Sequence, residues 1–511
     1  MERETDLNTF ITQWRETLEP DLPTSVAFCQ IAENVIRSMQ DKMGEALAMY
    51  DAQQLRWCNQ YITQLREIEL QKFNEISAKV FEFMDVHTKL TPEQIAKNQE
   101  QNRGKAKGDQ TRMETYKNVS HEKDVMFGIW ANVLSRNQYG IDIKFGNHVA
   151  QLPQKQASGQ IVLRSIWTSY DYLTADKIQD DFVVGGIIDF QMYQYPEISK
   201  TAGKWNMRPI LTIEQRLRNI PFPDPSAHVA ADIGVEIKFN LTENIYMSED
   251  TAEVKIAIWD DAQSCWTHDH TGDVAAFNPT ERLVKFTTLK FAPMAMLQSR
   301  CTDYPYQGWQ LRCVDNDVAL LDIETKRLNL RFEITALQLK LVRCSETSLQ
   351  HLADVEGFSP GYLLQELAKC GILLMPRNED AQLAGIEMKD QAAEERAIVD
   401  VALGVRAFHF QNCKWNQSRD QANPGVSPEN IVMRIRENLE FDEDFFENSE
   451  VDWKYVMWWN NKVSFVTGCR NDMDSGCNAQ IAPGQLTHGI LQQAVTEPYC
   501  SESAAVMCRD L

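Results

Sequence analysis

Apolar residues near the start of the chain recur at the spacing of a single helical face. Phe28, Ile31, Val35, Met39, Met43 and Leu47 are separated by three or four positions, which places their side chains on one stripe of an α-helix. Pro23, Thr24 and Ser25 supply its start. The pattern resumes over residues 51–86 with Leu55, Cys58, Ile62, Leu65, Phe73, Ile76, Val80 and Met84. Few residues separate the two runs, so 1–94 is expected to hold an antiparallel helical hairpin. At about 1.5 Å per residue the second helix is roughly 50 Å long. A stripe of that length needs a third element or another protein to cover it.

The period then lapses. Residues 95–123 carry Lys97, Arg103, Lys105, Lys107, Arg112 and Lys117 and read as a flexible basic linker. The sharper alternative is a contact for an acidic polymer such as a tubulin tail, made by Arg103, Lys105 and Lys107. Asp124–Phe145 follows and gathers Phe127, Ile129, Trp130, Val133 and Leu134 into a short span. Such an apolar knot must be buried against one half of the chain or against a partner. It opens a mixed joint region over 124–225. There, residues 155–173 read as a helix with Ile161, Leu163, Ile166 and Trp167 inward, and Phe182–Ile188 as a strand with a bulge or close approach at Gly185 and Gly186. The run Pro221-Phe222-Pro223-Asp224-Pro225 is the clearest linker signal.

From 226 to 345 the period becomes two. Val235, Ile237, Phe239 and Leu241 alternate with polar residues, as do Val254, Ile256 and Ile258, and later Leu328, Leu330, Phe332 and Ile334. Short strands with one apolar face and no long helix between them predict a central antiparallel β-sandwich. Residues 346–511 return to mixed signals and read as a C-terminal α+β domain. It begins with a helix from Ser359-Pro360 to Cys370 and another over 389–405. A strand over 407–415, an acidic run over 437–452, and a hairpin turning at Asn460-Asn461 complete it. The expected fold class is α+β, without the repeat of about 40–45 residues that a WD propeller would impose.

Charge narrows the partners. The 511 residues carry a net charge of -22, a surface that repels nucleic acid and anionic membranes and favours basic partners. No signal peptide opens the chain, and no apolar run approaches the roughly 20 residues of a membrane span. The 12 cysteines are scattered without a CxxC pair, the pattern of reduced thiols in a cytosolic protein.

Candidate chemistry is sparse. Cys265, His268, His270 and Asp273 lie close together, but Thr271-Gly272-Asp273 is also a good hairpin turn, and no second ligand pair stands at metal-site spacing. Cys469, Cys477, Cys500 and Cys508, with His488 among them, are too widely spaced for a zinc knuckle. Phosphate-loop, GxSxG and HExxH motifs are absent. The expectation is therefore no enzyme, no cofactor and no metal; a zinc- or thiol-dependent enzyme is the rival from another class. Tryptophans carry more signal. Trp130, Trp309, Trp458 and Trp459 are candidate interface anchors, with core packing as the alternative for each.

Several stretches taken in order resemble one family. They are Asp6–Trp14 (DLNTFITQW), Phe127–Asn137 (FGIWANVLSRN), Leu163–Leu173 (LRSIWTSYDYL), Leu283–Leu341 with its LVKFTTLKFAPMAMLQ and LNLRFEITALQLKL segments, and Ala407–Asn416 (AFHFQNCKWN). The chain resembles the axonemal dynein accessory intermediate chain family, also called cancer susceptibility candidate 1. That resemblance implies a non-catalytic subunit of the two-headed inner dynein arm, located in cytoplasm, cytoskeleton and the axoneme of cilia and flagella. Its implied partners are other intermediate chains and the heavy chains, with tubulin as a further contact. Family members tend to begin with a long Lys/Glu-rich helical segment, whereas this sequence opens almost at DLNTF, so that segment's contacts are not carried over. A cytoplasmic dynein-arm assembly factor, or a general scaffold, is the alternative reading.

Overall fold

The helical start is built as three helices, α1 (Glu4–Glu16), α2 (Leu22–Ala48) and α3 (Ala52–Glu82). The structure is a computed structural model. It describes residues 4–19, 21–48, 51–95, 112–133, 140–157, 159–174, 179–202, 205–223, 234–248, 253–272, 275–315, 317–336, 338–355, 357–386, 388–413, 416, 430–437, 453–459, 462–467 and 480–487. Helix α3 starts where Asp51 caps it, its carboxylate accepting from the backbone N–H of Gln53 and Gln54 at 3.0 Å, which satisfies two otherwise orphaned donors. Its buried face includes Cys58, Tyr61, Leu65, Phe73, Ile76 and Val80. The third element that this stripe requires is partly α1, whose Leu7, Ile11 and Trp14 join the same core. The rest of the cover is a sheet.

The chain divides into two compact units. The first comprises Met1–Gln179, Val183–Glu243 and Glu249–Leu297; the second comprises Asp180–Phe182, Asn244–Ser248 and Gln298–Leu511.

In the first unit the strands are β1 (Thr115–His121), β2 (Val125–Asn132), β3 (Ile141–Phe145), β4 (His148–Leu152), β5 (Ile161–Thr168), β6 (Asp181–Gln194), β7 (Lys200–Ala202), β8 (Trp205–Met207) and β9 (Asn219–Ile220). They continue with β10 (Val235–Asn240), β11 (Glu253–Asp260), β12 (Cys265–Thr267), β13 (Ala275–Asn278), β14 (Leu283–Thr288) and β15 (Pro293–Ser299). Thirteen of them make one sheet in the order β1-β2-β5-β6-β15-β11-β13-β14-β10-β4-β3, with β12 paired to β11 and β9 to β6; β7 and β8 form a separate two-stranded hairpin.

The described part of Asp124–Phe145 supplies β2, second in this order, and β3, at its far end. Every residue of β2 is buried. Val125, Phe127, Ile129 and Ala131 share the core of the helices, where the rings of Phe127 and Phe73 stack at 5.7 Å. Gly128 lies on the opposite face: a Cβ there would stand 2.4 Å from the Phe145 ring, so only glycine allows β3 so close.

Two expectations are corrected here. The stretch read as a helix over 155–173 holds only a single turn at Gln154–Ala157 and then strand β5. All eight residues of β5 are buried. A strand covered on both faces loses its alternation, and the positions Ile161, Leu163, Ile166 and Trp167 then imitate a helical stripe. The linker expected over 95–123 contains β1, in register with β2 from Thr115↔Asn132 to His121↔Met126. Its half-exposed positions left too weak a period to see. The close approach expected at Gly185 and Gly186 is present, since a Cβ on Gly186 would lie 2.0 Å from the Thr168 carbonyl oxygen.

Charged side chains fasten the helices to the sheet. Arg164, pointing from β5, donates to Asn74 Oδ1 (2.8 Å) and Ser77 Oγ (3.0 Å) on α3 and to Gln191 Oε1 (2.6 Å) on β6. Arg66 bridges Glu33 (2.6 Å) and Glu69 (3.1 Å) and lies 3.7 Å from the centre of the Tyr170 ring. Tyr170 donates to Glu69. Arg37 pairs with Asp124 at 2.7 Å. Burial raises the Glu69 carboxyl although Arg66 and the Tyr170 hydroxyl both pull it down. Buried charges persist only when paired and hydrogen-bonded in this way.

The second unit carries β16 (Gly308–Asp315), β17 (Val318–Glu324), β18 (Asn329–Ile334), β19 (Leu339–Cys344), β20 (Phe408–Asn412), β21 (Ile431–Glu437), β22 (Lys454–Trp459), β23 (Lys462–Thr467) and β24 (Gln480–Thr487). They form a nine-stranded sheet in the order β19-β18-β17-β16-β20-β21-β22-β23-β24. Helices Pro360–Lys369 and Gln391–Gly404 share its core through Leu363, Leu367, Ala397 and Val401. The strands read as one sandwich over 226–345 are thus divided, β10–β15 in the first sheet and β16–β19 in the second. Period-two patterning marks a strand's buried face but not the sheet to which it belongs. The mixed α+β class, with helices at the N-terminus and extensive antiparallel sheet, matches the expectation.

Candidate docking surface

Beyond β6 the first unit turns back along the end of α3, and residues within 194–197 and 208–218 wall a cleft of about 250 Å³. Arg208, Arg216 and Arg218 line it together with Glu82 and Glu197. Two of these arginines are tied to the α3 end. Arg208 Nη2 contacts Asp85 Oδ1 at 3.2 Å, and its guanidinium carbon lies 4.4 Å from the centre of the Phe83 ring. Burial alone would raise the Asp85 carboxyl, but hydrogen bonds from Ser199 and Arg208 and the Arg208 charge hold it below its ordinary value. Arg216 pairs with Glu82 and donates to the Leu211 carbonyl at 3.3 Å. The short turn before it is closed by a capping box, with Thr212 Oγ1 accepting from Gln215 N–H (3.3 Å) and Gln215 Oε1 accepting from Thr212 N–H (3.0 Å).

Arg218 is different. Its Nε donates to the Gln215 carbonyl at 3.2 Å, its side chain is exposed, and among the described residues no carboxylate lies within ion-pair distance of it.

Beside the cleft stands a ridge of exposed apolar side chains: Trp205 at 78%, Met207 at 56%, Ile210 at 100% and Ile213 at 38%. Four large apolar side chains exposed within nine residues exceed the isolated cases that any surface tolerates. Arg208 and Arg216 tie down the backbone between them, which bears Ile210 and Ile213. This region was not singled out from sequence. Its signal was present in WNMRPILTIEQRLR, where apolar residues and arginines mix without helical or strand periodicity.

In the second unit a cationic row crosses one sheet face. His409 stands opposite Arg436, accepts from its Nε at 3.2 Å, and lies with its ring centre 5.1 Å from that of Trp453. Burial, with the charges of Arg436, Arg312 and Arg434, pushes the imidazole down to about 3, so it is neutral at physiological pH.

Comparison with known proteins gives these surfaces a context. A family model described as Cancer susceptibility candidate 1 N-terminus matches residues 1–107, the segment that contains α1–α3. The protein named Dynein axonemal intermediate chain 7 in Homo sapiens is 24% identical over 286 residues, 55% of this chain and 38% of the relative. The Danio rerio protein of that name is 23% identical over 272 residues, 50% and 35% of the two chains. A Ciona intestinalis homolog is 22% identical over 318 residues, 62% and 41%. The chain is thus similar to proteins named Dynein axonemal intermediate chain 7. It spans well under half the length of the curated relatives it matches.

The residues singled out from sequence are dispersed in the structure. Trp130 lies in β2 and is 4% exposed. Trp458 in β22 is buried and donates from Nε1 to Asp400 Oδ2 at 3.0 Å. Trp309 in β16 and Trp459 in β22 are half-buried, and Trp459 Nε1 donates to Ser464 Oγ at 3.3 Å. Arg103, Lys105 and Lys107 fall outside the described residues, as do Asp273, Cys469, Cys477, His488, Cys500 and Cys508. His268 Nδ1 is hydrogen-bonded to the Ile256 carbonyl oxygen at 2.7 Å. No group of three or more His, Cys, Asp or Glu placed to hold a metal occurs among the described residues, and no helix among them is long and apolar enough to cross a membrane.

Proposed function

We propose that the protein is a non-catalytic accessory subunit of an axonemal inner-arm dynein that docks and regulates the motor in cilia and flagella. The observation that carries this reading is the similarity to proteins named Dynein axonemal intermediate chain 7, which extends over 286 residues and is joined by the family-model match over the helical layer. Its partners in the arm are other intermediate chains and the heavy chains, and ATP hydrolysis belongs to the heavy chains. Half-buried Trp309 and Trp459 keep surface for a subunit contact. Arg103, Lys105 and Lys107 supply a weak, salt-sensitive contact with tubulin.

Fractionation tests the reading. A resident subunit stays with detergent-extracted axonemes and leaves with the arms in high salt. A chain found only in the detergent-soluble cytoplasm is an assembly factor instead. The tubulin contact is tested by Lys105→Glu with Lys107→Glu, which should abolish microtubule cosedimentation at low salt; unchanged cosedimentation removes that part of the reading.

A further inference from the structure

We draw no further inference here: the strongest candidate, the arginine cluster on the sheet of the second unit, where Arg434 and Arg436 lie 4.7 and 4.8 Å from the centre of the Trp453 ring, has its Arg312, His409 and Arg436 side chains buried, and nothing among the described residues shows what covers it.

Discussion

Replacing Arg164 with methionine keeps most of its volume and removes a charge that joins α3, β5 and β6. Arg164 is 2% exposed and makes hydrogen bonds of 2.8, 3.0 and 2.6 Å to Asn74, Ser77 and Gln191. A hydrogen bond to a charged group contributes about 1.5–3 kcal/mol, but three such values do not add, since Gln191 also accepts from Tyr193 and Asn74 can repair with water. Removing one side of a buried charged network costs about 3–5 kcal/mol, a large share of the roughly 5–15 kcal/mol that holds a domain folded. Asp189 sharpens the expectation. Burial raises its carboxyl pKa and Arg164 lowers it, so losing Arg164 lifts it further. The folded pKa is then further above the unfolded value, the folded state binds the proton more readily, and the deficit shrinks as pH falls and grows as pH rises. Because the chain has two units, global unfolding is a poor readout; hydrogen exchange of α3 amides reads the joint locally. Protection of α3 should fall by about 3–5 kcal/mol near neutral pH and by less in mild acid. A fall below about 1 kcal/mol, the size of an ordinary neutral hydrogen bond, would refute the claim that Arg164 fastens the helical layer.

Three further outcomes follow from the first unit. Trp130→Ala should destabilise it by about 3–5 kcal/mol, as for other buried aromatic truncations, measured by the same exchange. Gly186→Ala should fail to give a folded first unit, because the new Cβ meets the Thr168 carbonyl at 2.0 Å with φ at +90°; a native exchange pattern would contradict this. Burial holds His148 down to about 3, below its unfolded value near 6.5. Its contribution is complete above that unfolded value and is lost progressively as pH falls towards the folded one, by about 1.4 kcal/mol per pH unit. His148→Gln should flatten this acid limb, and an unchanged pH profile of stability would assign it to other groups.

Legibility in the sequence followed burial geometry. Helices α2 and α3 were visible because one face is wet and the other dry; the hairpin expected over 24–86 appears as Leu22–Ala48 and Ala52–Glu82. Strand β10, with alternating burial, was visible for the same reason. Strand β5 was not, because both of its faces are covered, although a lone Arg164 inside IVLRSIWT marked a buried polar tie. The assignment of strands to two sheets depends on pairing partners far away in sequence, which local periodicity does not record. The ridge from Trp205 to Ile213 escaped notice because its apolar residues face solvent and so follow no core period. The knot at Asp124–Phe145 was located from composition alone, and Phe127 and Ile129 in it pack on the helices.

Velocity sedimentation of salt-extracted axonemal proteins tests the assignment to a dynein arm most directly. The account predicts that the chain comigrates with dynein heavy chains and other intermediate chains in constant ratio across the peak. Migration as a free chain, in an extract whose dynein arms remain assembled, would contradict it.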